Sequence, residues 1–192
     1  MYDQQQHQSG SDCSFQESVN LTYLVTWILS TTLTVFTRIR FGSEALGINS
    51  VGACLILLLT ASFSNDAAMG WMWLLWCGLQ LSHRWRTFLE WRRGIRRHSR
   101  YGGEPGMAML FIKDEQAAKW LEPFLCAGIG LLLAPVSVVL TQFILVASGA
   151  LLIRTSMEAM ALRAELRNLR DAEIENRNRA AWFRRDRGDA DY

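Results

Sequence analysis

Side chains that could perform acid–base, nucleophilic or metal chemistry are scattered along this chain. The histidines are His7, His83 and His98, and the cysteines are Cys13, Cys54, Cys77 and Cys126. No C-x-x-C motif and no Cys/His cluster occurs, so the spacing gives no zinc site and no disulfide framework. The common hydrolase, zinc-protease and dinucleotide-binding motifs are also missing. We therefore expect a non-enzymatic protein with no catalytic residue, cofactor, metal ion or small-molecule substrate.

Hydroxyl side chains recur at a regular four-residue spacing in the first apolar segment. They belong to Thr22, Thr26, Ser30 and Thr34. This spacing places them along one stripe of a helix. The stripe could line a polar path, or its hydroxyls could bond to carbonyls of their own helix and form a face for packing against other helices. We favour the packing interpretation.

Arginine is concentrated after the third apolar segment, where residues 84–100 contain seven Arg against one acid, Glu90. Apolar and aromatic residues between 85 and 95 recur with the helical period, which predicts an amphipathic surface helix over residues 84–98. We expect its basic face to bind anionic lipid headgroups. The predicted lipid contacts are Arg84, Trp85, Arg86, Trp91, Arg92, Arg93, Arg96 and Arg97. Nucleic acid is disfavoured as a ligand because the segment directly follows an apolar helix.

The elements that position these groups are four apolar segments, at residues 19–37, 45–63, 67–82 and 124–153. Charges are largely confined to the loop and tail between and after them, which argues against an ordinary soluble domain, a disordered chain or a disulfide-rich secreted domain. About 20 apolar residues cross a bilayer core as a helix. The last segment is longer and has Pro135 near its centre, so it is either one kinked span or a hairpin of residues 119–134 and 136–153.

Basic residues distinguish these two alternatives. Arg38 and Arg40 follow the first segment and the arginine-rich region follows the third, whereas the Asn65–Asp66 turn has no basic residue. The positive-inside rule then places the N-terminus outside and the arginine-rich loop inside. The tail at residues 154–192 holds nine Arg and also belongs inside, which requires an even number of crossings after the loop. We therefore expect an all-α bundle of about five membrane helices in a bacterial-type inner membrane, with a crossing or re-entrant hairpin.

The predicted organisation has five parts. They are a disordered N-terminal tail at 1–18, three membrane helices at 19–83, a surface helix and loop at 84–118, the hairpin at 119–153 and a cytoplasmic polar helix and tail at 154–192. The polar helix gains support from Glu173–Arg177 and Glu175–Arg179, which are four residues apart. Its candidate docking contacts are Leu162, Leu166, Leu169, Ile174, Trp182 and Phe183.

The functional expectation follows from this organisation. Without catalytic groups, and with two helical elements facing the cytoplasm, the chain is expected to be a subunit or scaffold of a larger membrane assembly, such as a secretion or conjugation machine. Its partners would be other protein subunits, copies of itself and anionic lipid. The alternatives are a small oligomeric channel and an enzyme acting on lipid headgroups. The second alternative would need acids from the set Glu90, Glu104, Asp114, Glu115 and Glu122.

Overall fold

A computed structural model describes the backbone of residues 3–41, 47–94 and 102–189 and, within these ranges, the side chains from residue 20 to residue 183 except that of residue 48. The helices are α1 (Asp3–Thr37), α2 (Ile48–Ser64), α3 (Ala67–Arg92), α4 (Glu115–Leu132) and α5 (Val138–Asp189), with a 3-10 turn at Ala108–Leu110. Over these ranges the other regular feature is one antiparallel bridge between Ile39 and Glu104. The predicted all-α fold is confirmed.

The chain forms two compact units, Met1–Arg154 and Thr155–Tyr192. The first unit contains α1 to α4 and the beginning of α5, and its core is built from all five helices. Its buried apolar side chains include Leu33, Val35, Leu57, Met69, Trp76, Cys126, Leu140, Ile144 and Leu151. Helices of this unit are held together by one continuous set of apolar contacts, as expected for a single domain.

Helix α1 starts well before the first apolar segment. It begins at Asp3, inside the residues 1–18 for which the sequence predicts disorder. This stretch contains no proline and one glycine, Gly10, so no residue in it stops a helix that extends backwards from the apolar part. The helical backbone there is therefore a continuation of α1.

Helix α3 corrects the prediction of a separate surface helix. It runs unbroken from Ala67 to Arg92, so the arginine-rich residues up to Arg92 continue the third apolar segment. Between Gly78 and Gly94 there is no glycine or proline to turn the backbone. The helix ends where Gly94 adopts a φ of 78°, a left-handed conformation that commonly follows a helix C-terminus. The predicted lipid contacts Arg96 and Arg97 lie outside the described residues.

The last apolar segment forms two helices. Helix α4 ends at Leu132 and α5 begins at Val138, with Pro135 in the turn between them. The chain doubles back there, because the Thr141 hydroxyl donates to the Gly130 carbonyl at 3.1 Å. The last apolar segment therefore forms the hairpin and not a single kinked helix. The second arm of the hairpin continues well beyond residue 153.

Close approach of the hairpin arms depends on Gly130. A Cβ added at Gly130 would lie 2.8 Å from Cγ2 of Ile144, whereas one added at Gly128 would meet nothing within 4 Å. We expect Gly130→Ala to lower the free energy of unfolding by about 1–3 kcal/mol through overpacking. Gly128→Ala should raise it by up to about 1 kcal/mol, since alanine is the better helix former. Denaturation in mild detergent measures both, and equal effects would contradict this packing.

The turn between α2 and α3 meets the hairpin turn. Asp66 caps α3 by accepting a hydrogen bond from the Ala68 amide at 2.9 Å, and its carboxylate also accepts one from the Ser137 hydroxyl. The Ser137 bond, followed by the Ala68 bond, holds the pKa of Asp66 below its ordinary value of 3.8. The two loops are therefore joined by a carboxylate that is charged at neutral pH.

This contact predicts an acid-dependent stability. Because the pKa of Asp66 is lower in the folded state, its stabilising contribution is complete above about pH 4 and is lost as the pH falls through the folded-state value. The stability advantage of the unmodified protein over Asp66→Asn should thus shrink as the pH drops from 5 to 3. Denaturation in detergent across this range tests it. A constant difference would mean that the charge of Asp66 has no role.

Candidate functional site

The predicted hydroxyl stripe lies inside the first unit for most of its length. Thr26, Ser30 and Thr34 are buried, while Thr22 is exposed. The Ser30 hydroxyl donates to the Trp27 carbonyl at 2.9 Å and that of Thr34 to the Thr31 carbonyl at 3.4 Å. These are the own-helix bonds of the packing interpretation. The stripe therefore supplies a small polar face that packs inside one chain.

A buried ion pair stands at the end of this stripe. Arg38 and Glu122 each expose 1 % of their side chains, and Nη2 of Arg38 lies 2.8 Å from Oε2 of Glu122. The Arg38 Nε also donates to Oε2 at 2.9 Å, so the guanidinium meets the carboxylate through two nitrogens. The Thr37 hydroxyl donates to Oε1 of the same carboxylate. Both charges are thus removed from solvent and are neutralised by each other.

Arg154 is a second buried guanidinium in this unit. It exposes 5 % of its surface, and its Nη1 donates to the Ser30 hydroxyl at 3.2 Å. Its central carbon lies 3.9 Å from the centroid of the Trp27 ring, in cation–π geometry. Gly102 lies between the two arginines, because a Cβ there would be 3.4 Å from Arg38 Nη1 and 3.5 Å from Arg154 Nη2. Stripe, ion pair and second arginine therefore form one polar cluster.

His83 belongs to the same interior and links α3 to α1. It is buried, and its Nε2 lies 3.0 Å from the Val35 carbonyl oxygen. A bond to a carbonyl requires that this nitrogen carry the proton. The Phe41 ring packs against the imidazole edge-on, with ring centroids 5.1 Å apart. The histidine thereby holds two helices and the chain after α1 together.

Sequence reasoning did not bring this cluster together. From the sequence, Arg38 orients the first span, Arg154 belongs to the tail, and Glu122 is one of five candidate acids for a lipid enzyme. One signal was present: charges of opposite sign flank two apolar segments, with Arg38 after the first and Glu122 before the last. The pairing itself joins residues 84 positions apart, and spacing alone does not reveal it.

Three of the other four candidate acids have separate roles. Glu104 accepts a hydrogen bond from Arg40 at 3.1 Å, and Glu115 pairs with Lys119 at 2.7 Å. Asp114 caps α4 by accepting from the Gln116 amide at 3.2 Å. Within the ranges that the structure describes, no group of three His, Cys, Asp or Glu side chains could hold a metal ion.

The predicted lipid and docking residues lie at exposed positions. The predicted lipid contacts are Arg84, Trp85, Arg86, Trp91 and Arg92 on α3, and Arg93 directly after it. Trp85, Phe88 and Trp91 form a row of rings whose neighbouring centroids are 6.1 Å apart. In the second unit Leu162, Leu166, Leu169, Ile174, Trp182 and Phe183 are all exposed. These residues are therefore accessible at the surface.

An apolar cavity of about 590 Å³ lies between α1, α3, α4 and α5 in the first unit. Its floor is made of buried side chains from all four helices: Leu33, Met72, Cys126, Leu140 and Ile144. Its exposed rim is formed by Trp71, Leu75 and Val136. The cavity has the size of a small-molecule ligand site, for which about 300–1,000 Å³ is typical.

The exterior of the first unit is strongly apolar. Exposed leucine, valine, phenylalanine and tryptophan side chains occur on every helix of the unit; examples are Leu24, Leu59, Phe63, Trp71, Leu74, Phe124, Leu132 and Val146. Among the described residues, one helix is long and apolar enough to cross a membrane, within Val138–Phe183, and α2 is apolar but shorter. A large exposed apolar surface is typical of a protein that contacts a membrane or another protein.

Fold and site together define an all-helical protein with a polar cluster inside and an apolar exterior. It has a candidate membrane-spanning helix, which continues into a second, polar helical unit. Comparison with protein-family models, curated proteins and solved structures finds no match to this chain.

Proposed function

We propose that this chain is a non-enzymatic subunit or scaffold of a membrane-embedded assembly, held in the bilayer by its first unit. The observation that carries the proposal is the inverted polarity of that unit. Arg38, Glu122 and Arg154 are buried, while large apolar side chains cover the outside. In membrane proteins, ionisable residues face the bundle interior and pair with one another, and apolar residues face lipid.

The burial free energy of apolar side chains favours lipid over water around this exterior. Each large apolar side chain that stays in water forgoes up to roughly 1.5–3 kcal/mol of burial free energy, in proportion to its exposed fraction. Many such side chains are exposed on α2 and α3 alone, including Val51, Leu55, Phe63, Trp71 and Leu81. Lipid contact removes this unfavourable exposure without any change in the packing of the unit.

Helix lengths suggest how the bundle fits a bilayer. Helices α2 and α4 have 17 and 18 residues, which correspond to about 25 Å of rise and fall short of a bilayer core of about 30 Å. Such short helices suit local thinning of the bilayer or a re-entrant hairpin. In the orientation that we propose, the N-terminus is outside, and the arginine-rich loop and C-terminal helix lie in the cytoplasm.

The second unit is the proposed docking element. Every residue from 160 to 183 is exposed along a helix that consists mainly of polar residues. The predicted Glu173–Arg177 and Glu175–Arg179 ion pairs are confirmed, but each contributes only about 0.2–0.5 kcal/mol. A partner that covers the Leu162, Leu166 and Leu169 seam would supply the missing tertiary stabilisation.

Loss of the leucine seam should abolish partner binding. We expect the triple variant Leu162→Ala, Leu166→Ala, Leu169→Ala to lose a co-purifying subunit, because removal of buried anchors typically costs more than 2 kcal/mol of binding free energy, or about 30-fold in affinity. Helix propensity is nearly unchanged by leucine-to-alanine substitutions. Affinity purification from membranes in mild detergent measures the effect.

The matched control is Asn168→Ala with Asn176→Ala, which changes exposed polar residues of the same helix. This variant should retain the partner. Recovery of the unmodified protein solely as a monomer, at the same yield as the triple variant, would contradict the scaffold proposal. Recovery in buffer without detergent would contradict membrane embedding itself.

A further inference from the structure

The cavity of the first unit is built for a ligand without polar groups. Two of its lining side chains carry an N–H or O–H group, Thr37 and Trp71. The Thr37 hydroxyl already donates to the Glu122 carboxylate, and Trp71 stands at the exposed rim. A polar ligand would therefore lose hydrogen bonds to water on entry and find none on the floor, at a cost of several kcal/mol. A hydrocarbon chain loses none.

The size of the cavity also fits a hydrocarbon chain. The cavity offers about 590 Å³. From Ala68 to Leu75 its wall extends about 10 Å along α3. These dimensions suit a narrow, flexible chain.

The rim determines where such a chain would enter. Trp71, Leu75 and Val136 line the cavity and are also exposed on the outer surface, with Trp71 at 66 %. They belong to the same apolar exterior that faces lipid in the proposed arrangement. The entrance therefore opens toward the bilayer interior, where hydrocarbon chains are the most abundant molecules.

From these observations we infer that the cavity holds the hydrocarbon chain of a membrane lipid, which enters between α3 and the hairpin turn. The inference rests on the proposed membrane embedding. It adds a lipid-binding site whose floor reaches Cys126 and Ile144. A chain seated there fills a void between four helices and would couple the packing of α1, α3 and the hairpin to the lipid.

The test uses the full-length protein in phosphatidylcholine vesicles that contain a phosphatidylcholine with a diazirine at the end of one acyl chain. After illumination, mass spectrometry locates the cross-linked residues. We expect label on the buried floor residues Met72, Cys126 and Ile144, which bulk lipid reaches only through the cavity. Ala68→Phe, which fills the cavity from α3, should lose this floor label. Leu132→Phe, an outward-facing change on α4 at a residue 79 % exposed, should keep it.

The possible outcomes distinguish the lipid-chain inference from the proposal of membrane embedding on which it rests. Label confined to outward-facing residues such as Leu132 would overturn the cavity assignment and leave membrane embedding intact. If the floor residues stay unlabelled and two copies of the Leu75→Cys variant form a disulfide, the rim is a contact between two copies of the chain. The lipid site would then be wrong. Failure of the unmodified protein to enter vesicles would overturn both proposals. If the Ala68→Phe variant does not insert into vesicles, Cys126→Leu takes its place, because it fills the cavity from α4 with a smaller increase in volume. This variant should lose the label on Ile144.

Discussion

Replacement of Glu122 by glutamine should lower the free energy of unfolding by about 3–5 kcal/mol, which is the usual cost of breaking a buried ion pair from one side. The glutamine keeps the shape of the side chain but leaves the Arg38 guanidinium, with 1 % of its side chain exposed, without a counter-charge. The Thr37 hydroxyl would still find an acceptor, so the loss reports mainly on charge. Chemical denaturation in mild detergent, followed by tryptophan fluorescence, measures it.

Two further variants test whether loss of the buried ion pair causes the destabilisation. The pair Arg40–Glu104 has side chains that are 57 % and 25 % exposed, so Glu104→Gln should cost no more than about 1 kcal/mol. The double variant Arg38→Met with Glu122→Leu removes both charges and should recover most of the lost stability. If the double variant were as unstable as the sum of its single variants, the ion pair would not be the source of the effect.

The helices could be predicted from the sequence because their causes are local. Long apolar stretches, the Asn65–Asp66 turn and Pro135 are sufficient to place α2, the start of α3 and the hairpin, and the structure has helix ends near each of these positions. The sequence predicts an earlier end for α3, because its composition changes there from apolar to basic. Composition changes the surroundings of a helix, whereas the backbone of α3 ends beside the left-handed Gly94.

The polar cluster could not be predicted in the same way, because its causes are long-range. Ser30 and Arg154 are 124 residues apart, and Arg38 and Glu122 are 84 apart. Each of these residues has an ordinary local explanation: a helix-packing hydroxyl, a topology-setting arginine or an acid near a helix start. Only the packing of α1 against the hairpin arms turns these separate features into one buried network.

A charge introduced on the apolar exterior distinguishes lipid from water directly. Leu55 lies near the middle of α2 and is 53 % exposed, and Met160 lies in the second unit, outside the leucine seam, and is 62 % exposed. On a surface in water, either side chain could become arginine with a change within about 0.5 kcal/mol. In a bilayer, Leu55→Arg should cost about 2.5–3.5 kcal/mol, the penalty for an arginine at the centre of a membrane helix.

We therefore expect Leu55→Arg to reduce recovery in the membrane fraction strongly, and Met160→Arg to leave it unchanged. The two variants add the same side chain at similar exposure, so the difference between them reports on the surroundings and not on packing. Quantitative fractionation after expression, normalised to total synthesis, is the measurement. Equal recovery of both variants would place the exterior of α2 in water, and the many exposed apolar side chains of the first unit would then need a protein partner as their cover.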